Sequence, residues 1–214
     1  MDRRSGPNQT RLVLVTSPVA DTYIIAPVLA AAFKAADVAA VVLRLAAGKD
    51  SEQIMRVHSL APTVQNAGAA LLIEERADLV GKTGADGAHL RGIDALRTAM
   101  PQLKPEFVAG SGGLATRHDS MTAAELGADY VMFGEPDANG RRPGFDAIRE
   151  RVAWWAELFQ IPCVGYADSL AEAGELARAG ADFVALADSI WNSSEGTGAL
   201  IEAMERMRQR EPAR

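Results

Sequence analysis

The stretch LLIEERADLV at residues 71–80 ends an apolar run in two adjacent carboxylates, Glu74 and Glu75. The next apolar run, GAHL, leads into RGID, which carries His89, Arg91 and Asp94. Carboxylate oxygens are the donors a hard cation such as Mg²⁺ takes, and Glu75 and Asp94 are the pair that adjacent strand ends would bring within reach of each other. The plain alternative is that both are solvated loop charges, because carboxylates normally sit at the surface. The elements that carry them decide between the two.

Short apolar runs alternate with longer amphipathic ones along the chain. The apolar runs lie at 11–17, 39–45, 69–74, 87–90, 106–111, 129–134, 161–166 and 182–188. Several are almost continuously apolar, the pattern of strands buried on both faces. Between them, YIIAPVLAAAFKAA and SLAEAGELARAG have helical patterning, and the second is framed by Ser169 as N-cap and Gly180 as terminator. The tripeptide GAD recurs at 84–86, 127–129 and 180–182, each time between a helix and a strand. Glycine tolerates the left-handed turn that ends a helix. Eight strand–helix units predict a single-domain α/β fold, a (β/α)₈ TIM barrel over residues 11–210, whose site gathers at the C-terminal ends of the strands. Residues 1–10 are expected to form a flexible N-terminus and 211–214 a tail. A doubly wound open sheet is the alternative and places ligands at the same strand ends. TSPVADTY follows the first strand, so no GxGxxG or GxxxxGK[ST] phosphate loop stands there.

The chain has 214 residues, 48% of them hydrophobic, enough for one substantial core. Its net charge of −6 argues against a nucleic-acid partner, since that affinity comes from clustered cations. RMRQR at 206–210 has the simpler role of cations complementing a helix C-terminus. The single cysteine, Cys163, excludes a disulfide within the chain or a thiolate cluster and suits a reducing compartment. LVLV is too short for a signal core or a membrane span. A cytoplasmic protein with no membrane partner and a small-molecule ligand is expected. His58 and His118 lack a partner at metal spacing. Trp154 and Trp155 are adjacent on one helix, so one faces the barrel and the other marks a possible homo-oligomer contact.

From RLVLVTS to the last helix the chain resembles the thiamine phosphate synthase and thiazole tautomerase superfamily of (β/α)₈ barrels. The anchors are IEERADLV…GADGAHL, ELGADYVMFG and AGADFVALADSI. The resemblance implies thiamine biosynthesis, in which a hydroxymethylpyrimidine diphosphate is coupled to a thiazole phosphate with Mg²⁺. It implies Glu75 and Asp94, nineteen residues apart, as the metal pair, with Glu74 where a pyrimidine-contacting Asn is expected.

Departures from the family pattern cluster on the phosphate contacts. VLRLA keeps Arg44 of a QxRxK signature but has Val42 and Ala46 in place of the Gln and Lys. SGGLAT stands for GxSxHT, which puts Gly113 on the serine with Ser111 nearby, and the glycine N–H groups remain available to an anion. FGEPDANGRR places Arg142, preceded by Arg141, on a lysine, and Glu135 on the tautomerases' catalytic histidine. VGYADS replaces a phosphate-binding IGGI turn with Ala167 and Asp168, and Asp188 replaces a phosphate-binding serine. Like charges at ~4 Å cost roughly 4 kcal/mol at an effective dielectric of 20, so two aspartates facing a phosphate dianion would oppose its binding.

Two kinds of function follow. One is a synthase-like transferase whose activity is weakened by the lost motifs, with Arg142 as its cation and a metal at Glu75 and Asp94. The other is a repurposed or non-catalytic barrel that binds a cationic or unphosphorylated ligand in an acidic mouth of Glu74, Glu75, Glu135, Asp168 and Asp188. A variant of the first is a tautomerase-like isomerase in which Glu135 shuttles a proton, unless it is simply paired with Arg141 or Arg142.

Overall fold

The computed structural model describes residues 9–137 and 139–208. Eight strands, β1 (Arg11–Val15), β2 (Val38–Leu43), β3 (Ala70–Glu74), β4 (Gly87–Arg91), β5 (Val108–Gly112), β6 (Tyr130–Phe133), β7 (Cys163–Ala167) and β8 (Phe183–Leu186), form a closed barrel. Each pairs in parallel with the next, and β8 closes on β1. Helices follow the strands: α1 (Thr22–Ala35), α2 (Asp50–Gln65), α3 (Ala77–Thr83), α4 (Ile93–Leu103), α5 (Arg117–Glu125), α6 (Phe145–Leu158) and α7 (Leu170–Arg178). After β8 come a short α8 (Asp188–Trp191) and α9 (Gly196–Arg208). Every expected strand is present, and the open-sheet alternative is excluded by closure.

Alternation along the strands divides the core in two. Val13, Val15, Val42, Leu72, Met132 and Val164 fill the barrel. Leu12, Leu14, Val41, Leu43, Leu71 and Ile73 face the helices. Thr10 is not free, because its hydroxyl donates to the Ala181 carbonyl at 2.9 Å. Residues 1–8 and the expected tail, 211–214, lie outside the described residues.

The GAD repeats perform one mechanical task three times. Gly84, Gly127 and Gly180 are left-handed, at φ of 70°, 95° and 99°. The aspartate that follows then accepts the backbone N–H near the start of the preceding strand: Asp86 from Leu71 at 2.7 Å, Asp129 from Ala109 at 2.7 Å, and Asp182 from Cys163 at 2.9 Å. These carboxylates tie the N-terminal end of the barrel, opposite the expected site. Ser169 caps α7 as expected, accepting from the Glu172 N–H at 3.2 Å.

Trp155 is fully buried and stacks on Phe159, with ring centroids 4.0 Å apart. Trp154 packs edge-on against both rings and carries the Arg117 guanidinium over its own ring at 4.8 Å. Among the described residues no helix is long and apolar enough to cross a membrane.

Candidate functional site

Parallel closure puts Arg44, Glu74, Glu75, Asp94, Gly113, Glu135, Asp168 and Asp188 at one end of the barrel, at or just past the C-terminal ends of their strands. Arg44 Nε donates to Glu74 Oε1 at 2.9 Å, and Arg91 Nη1 stands 3.8 Å from the same oxygen. Burial opposes the Arg44 charge, but Glu74, by charge and hydrogen bond, outweighs it and raises the pKa of the guanidinium.

Glu135 departs from the expected loop pairing. It meets neither Arg141 nor Arg142 but turns into the barrel, where its side chain is 1% exposed. Both carboxylate oxygens lie 3.1 Å from His89 Nε2, and the Gly113 N–H donates to Oε2 at 3.1 Å. Arg91 Nη1 is 3.9 Å away. Burial pulls this carboxyl's pKa upward, yet His89, Arg91 and Arg44 together hold it below the ordinary carboxylate range. His89 Nδ1 is paired with the Tyr130 hydroxyl at 2.7 Å. Burial, reinforced by the negative charge of Glu135, raises the Tyr130 pKa well above its ordinary value. Room for this cluster comes from absent side chains: a Cβ at Gly112 would lie 1.7 Å from Glu135 Oε2 and 2.6 Å from His89 Nε2.

Arg142 leaves the mouth centre for its β7 edge. Nη1 pairs with Glu172 Oε2 at 2.9 Å and lies 3.8 Å from Asp168, while Nη2 donates to the Tyr166 carbonyl at 3.0 Å. Arg141 is 77% exposed and pairs with Asp137 at 3.4 Å. The two arginines thus diverge. Asp188 accepts from Ser17 Oγ at 2.8 Å and from Asn192 Nδ2 at 3.1 Å, so both expected phosphate-repelling aspartates have partners within the chain.

Ser111 departs from its expected place at the mouth. It alternates with Gly110 and Gly112, whose added Cβ atoms would strike Tyr130, Glu135 and His89 inside the barrel, so its own side chain faces the helix layer. Its register partners Leu90 and Val131 belong to that layer, and its Oγ is buried without a partner. It is not a mouth residue.

Glu75 adopts a left-handed φ of 59°, which costs a non-glycine residue about 1–3 kcal/mol and persists only where neighbours impose it. Its Oε1 accepts the Arg91 N–H at 2.5 Å. Asp94, in the first turn of α4, is 99% exposed and 3.4 Å from Arg97. Among the described residues no group of three or more His, Cys, Asp or Glu gathers as metal ligands would.

Beside the mouth, a cavity of about 370 Å³ is bounded by Arg91, Gly113, Met132, Glu135, Arg141 and Ile148. Sequence reasoning missed Tyr166. This inward residue of β7 has its ring 5.8 Å from the Arg142 guanidinium, and burial, only partly opposed by Arg44, raises its pKa. A tyrosine inside an apolar strand gives no signal of its own before the barrel is closed.

Residues 12–190 match the family model described as thiamine monophosphate synthase. The chain is also 36% identical over 200 residues to the thiamine-phosphate synthase of Rhodospirillum centenum, covering 92% of this chain and 97% of that protein. It belongs to the thiamine monophosphate synthase family. The thiamine-phosphate synthase of Hyphomonas neptunium is 34% identical over 204 residues, covering 91% of this chain and 92% of that one. In fold, the family member here resembles the thiamine phosphate pyrophosphorylase of Pyrococcus furiosus, with a TM-score of 0.76 at 20% identity over 94% of this chain and 96% of the other.

Proposed function

We propose that this thiamine-phosphate synthase-like barrel binds a small, unphosphorylated or cationic heterocycle at its C-terminal mouth and has lost efficient coupling of the two phosphorylated substrates. One observation carries this reading: the inward cations of the mouth are matched by carboxylates of the same chain. Arg44 has Glu74 at 2.9 Å, Arg142 has Glu172 at 2.9 Å, and Arg91 lies between Glu74 and Glu135 at 3.8 and 3.9 Å. An incoming diphosphate must displace a partner and leave a half-buried carboxylate uncompensated, which is costly in a low-dielectric site. A neutral or cationic ring meets no such penalty. Met132 bounds the cavity beside the mouth and supplies apolar lining against which such a ring packs.

A second reading keeps the family reaction, and Glu75 favours it. Its strained backbone holds a carboxylate at the rim opposite the start of α4, where Asp94 stands. Two carboxylates fit Mg²⁺ when a bound diphosphate and waters supply the other ligands. When bound there, Mg²⁺ would neutralise charge on a departing diphosphate. In that case Arg91 and Glu74 orient the pyrimidine, and Tyr166 walls off water.

A thermal-shift series separates the two readings, because a ligand that binds only the native state raises Tm with its concentration. The proposed function predicts a larger shift with the unphosphorylated thiazole than with thiazole phosphate or with pyrimidine diphosphate plus Mg²⁺ at the same concentration. Formation of thiamine phosphate from the phosphorylated pair at rates typical of enzymes would replace it with the second reading.

A further inference from the structure

Glu135 is held as a bound anion would be held. Its carboxylate receives the backbone N–H of Gly113, a residue at the left-handed φ of 61°, and lies 3.1 Å from His89 Nε2 with Arg91 3.9 Å away. A backbone N–H from a left-handed turn, an imidazole N–H and a guanidinium are the donors from which oxyanion sites are built. The Tyr130 hydroxyl, 2.7 Å from Nδ1, anchors the imidazole so that Nε2 is the ring nitrogen that faces the carboxylate. Gly112 keeps the seat open, since a Cβ there would overlap both His89 and Glu135. Glu135 also bounds the cavity of about 370 Å³, so the seat adjoins space a ligand can enter.

We propose that Glu135 is a specificity-determining residue, an internal anion filling a seat that would otherwise take a carboxylate or phosphate oxyanion from a ligand. While the seat is filled, the Gly113 N–H has no vacancy for the oxyanion of a ligand in the adjoining cavity. This inference deepens the reading of the mouth as selective against phosphates and rests on it for its meaning. Its test, however, is independent of what the natural protein binds.

Glu135→Ala should open the seat. Formate or acetate should then raise the Tm of the variant in a concentration-dependent manner, while formamide and acetamide, of similar shape and no charge, do not. Neither anion should shift the natural protein. Inorganic phosphate forms a further arm: a shift with phosphate extends the seat to larger oxyanions, and its absence restricts the seat to monocarboxylates. No anion-dependent shift in a folded Glu135→Ala variant overturns the proposal. If that variant fails to fold in every buffer, Glu135→Gln decides, because it keeps the volume and removes the charge. A seat that needs an anion loses Tm with glutamine, whereas an unchanged Tm reduces Glu135 to a packing role and overturns the proposal. A positive anion result together with tight thiazole phosphate binding by the natural protein would leave this inference standing and defeat the proposed function alone.

Discussion

Arg44 and Glu74 meet at 2.9 Å across the ends of β2 and β3, with their side chains 21% and 16% exposed. The pair joins a family-like arginine to a carboxylate that the resemblance places on an asparagine. The guanidinium charge at this end of the barrel is thereby neutralised. Arg44→Ala leaves Glu74 with only the longer contact to Arg91 at 3.8 Å, and a loss of about 2 kcal/mol in unfolding free energy is expected. The double variant Arg44→Ala, Glu74→Ala should lose clearly less than the sum of the single variants in urea unfolding, because partners in contact couple.

The buried Glu135 predicts a particular acid response. A carboxyl whose folded pKa lies below its ordinary value of 4.5 stabilises the fold above that pH, and its contribution disappears as pH falls through the lowered value. Urea midpoints measured from pH 6 down to pH 3 should therefore fall more steeply for the natural protein than for Glu135→Gln. Parallel profiles would show that the carboxylate is not held in its charged form.

The three aspartates of the GAD repeats should each matter and should do so independently. Asp86→Ala, Asp129→Ala and Asp182→Ala each remove a charged acceptor from a strand N–H, a loss of about 1.5–3 kcal/mol apiece. Guanidinium unfolding of single and combined variants should show near-additive losses with ligand binding at the other end of the barrel unchanged.

Those repeats also show how far the sequence could be read. Strand buried on both faces, helix, left-handed glycine and aspartate recur with local signatures, so all eight strands, and the end of the barrel at which the candidate residues gather, were legible from the chain. Side-chain direction within a strand was less so. Ser111 and Gly113 differ by two residues, but Ser111 lies inside β5, where the pleat sends it outward, and Gly113 lies past its end. Partner choice was least legible. Glu135 precedes two arginines in sequence, yet its partner is His89, forty-six residues away in the chain and adjacent only after β4, β5 and β6 pair. Tyr166 became a site residue for the same reason.

Asp168 and Asp188 stand where the resemblance expects phosphate donors; the first has the Arg142 cation at 3.8 Å, and the second keeps its charge while accepting a hydrogen bond from Ser17 at 2.8 Å. The double variant Asp168→Gly, Asp188→Ser should gain affinity for thiazole phosphate by about tenfold, or about 1.4 kcal/mol. Calorimetry reads this directly, and an unchanged affinity would mean that neither carboxylate excludes the phosphate.

The proposed selectivity depends most on the internal pairing of charge in the mouth. Calorimetric titration of the natural protein with the thiazole in its unphosphorylated and phosphorylated forms, the latter also with pyrimidine diphosphate and Mg²⁺ present, tests this most directly. Measurable binding of the unphosphorylated ring is expected, with at least tenfold weaker binding of the phosphate, on the order of 1.4 kcal/mol or more. Tighter binding of the phosphorylated thiazole, strengthened further by the Mg²⁺ diphosphate, would contradict it and return the barrel to the coupling reaction of its family.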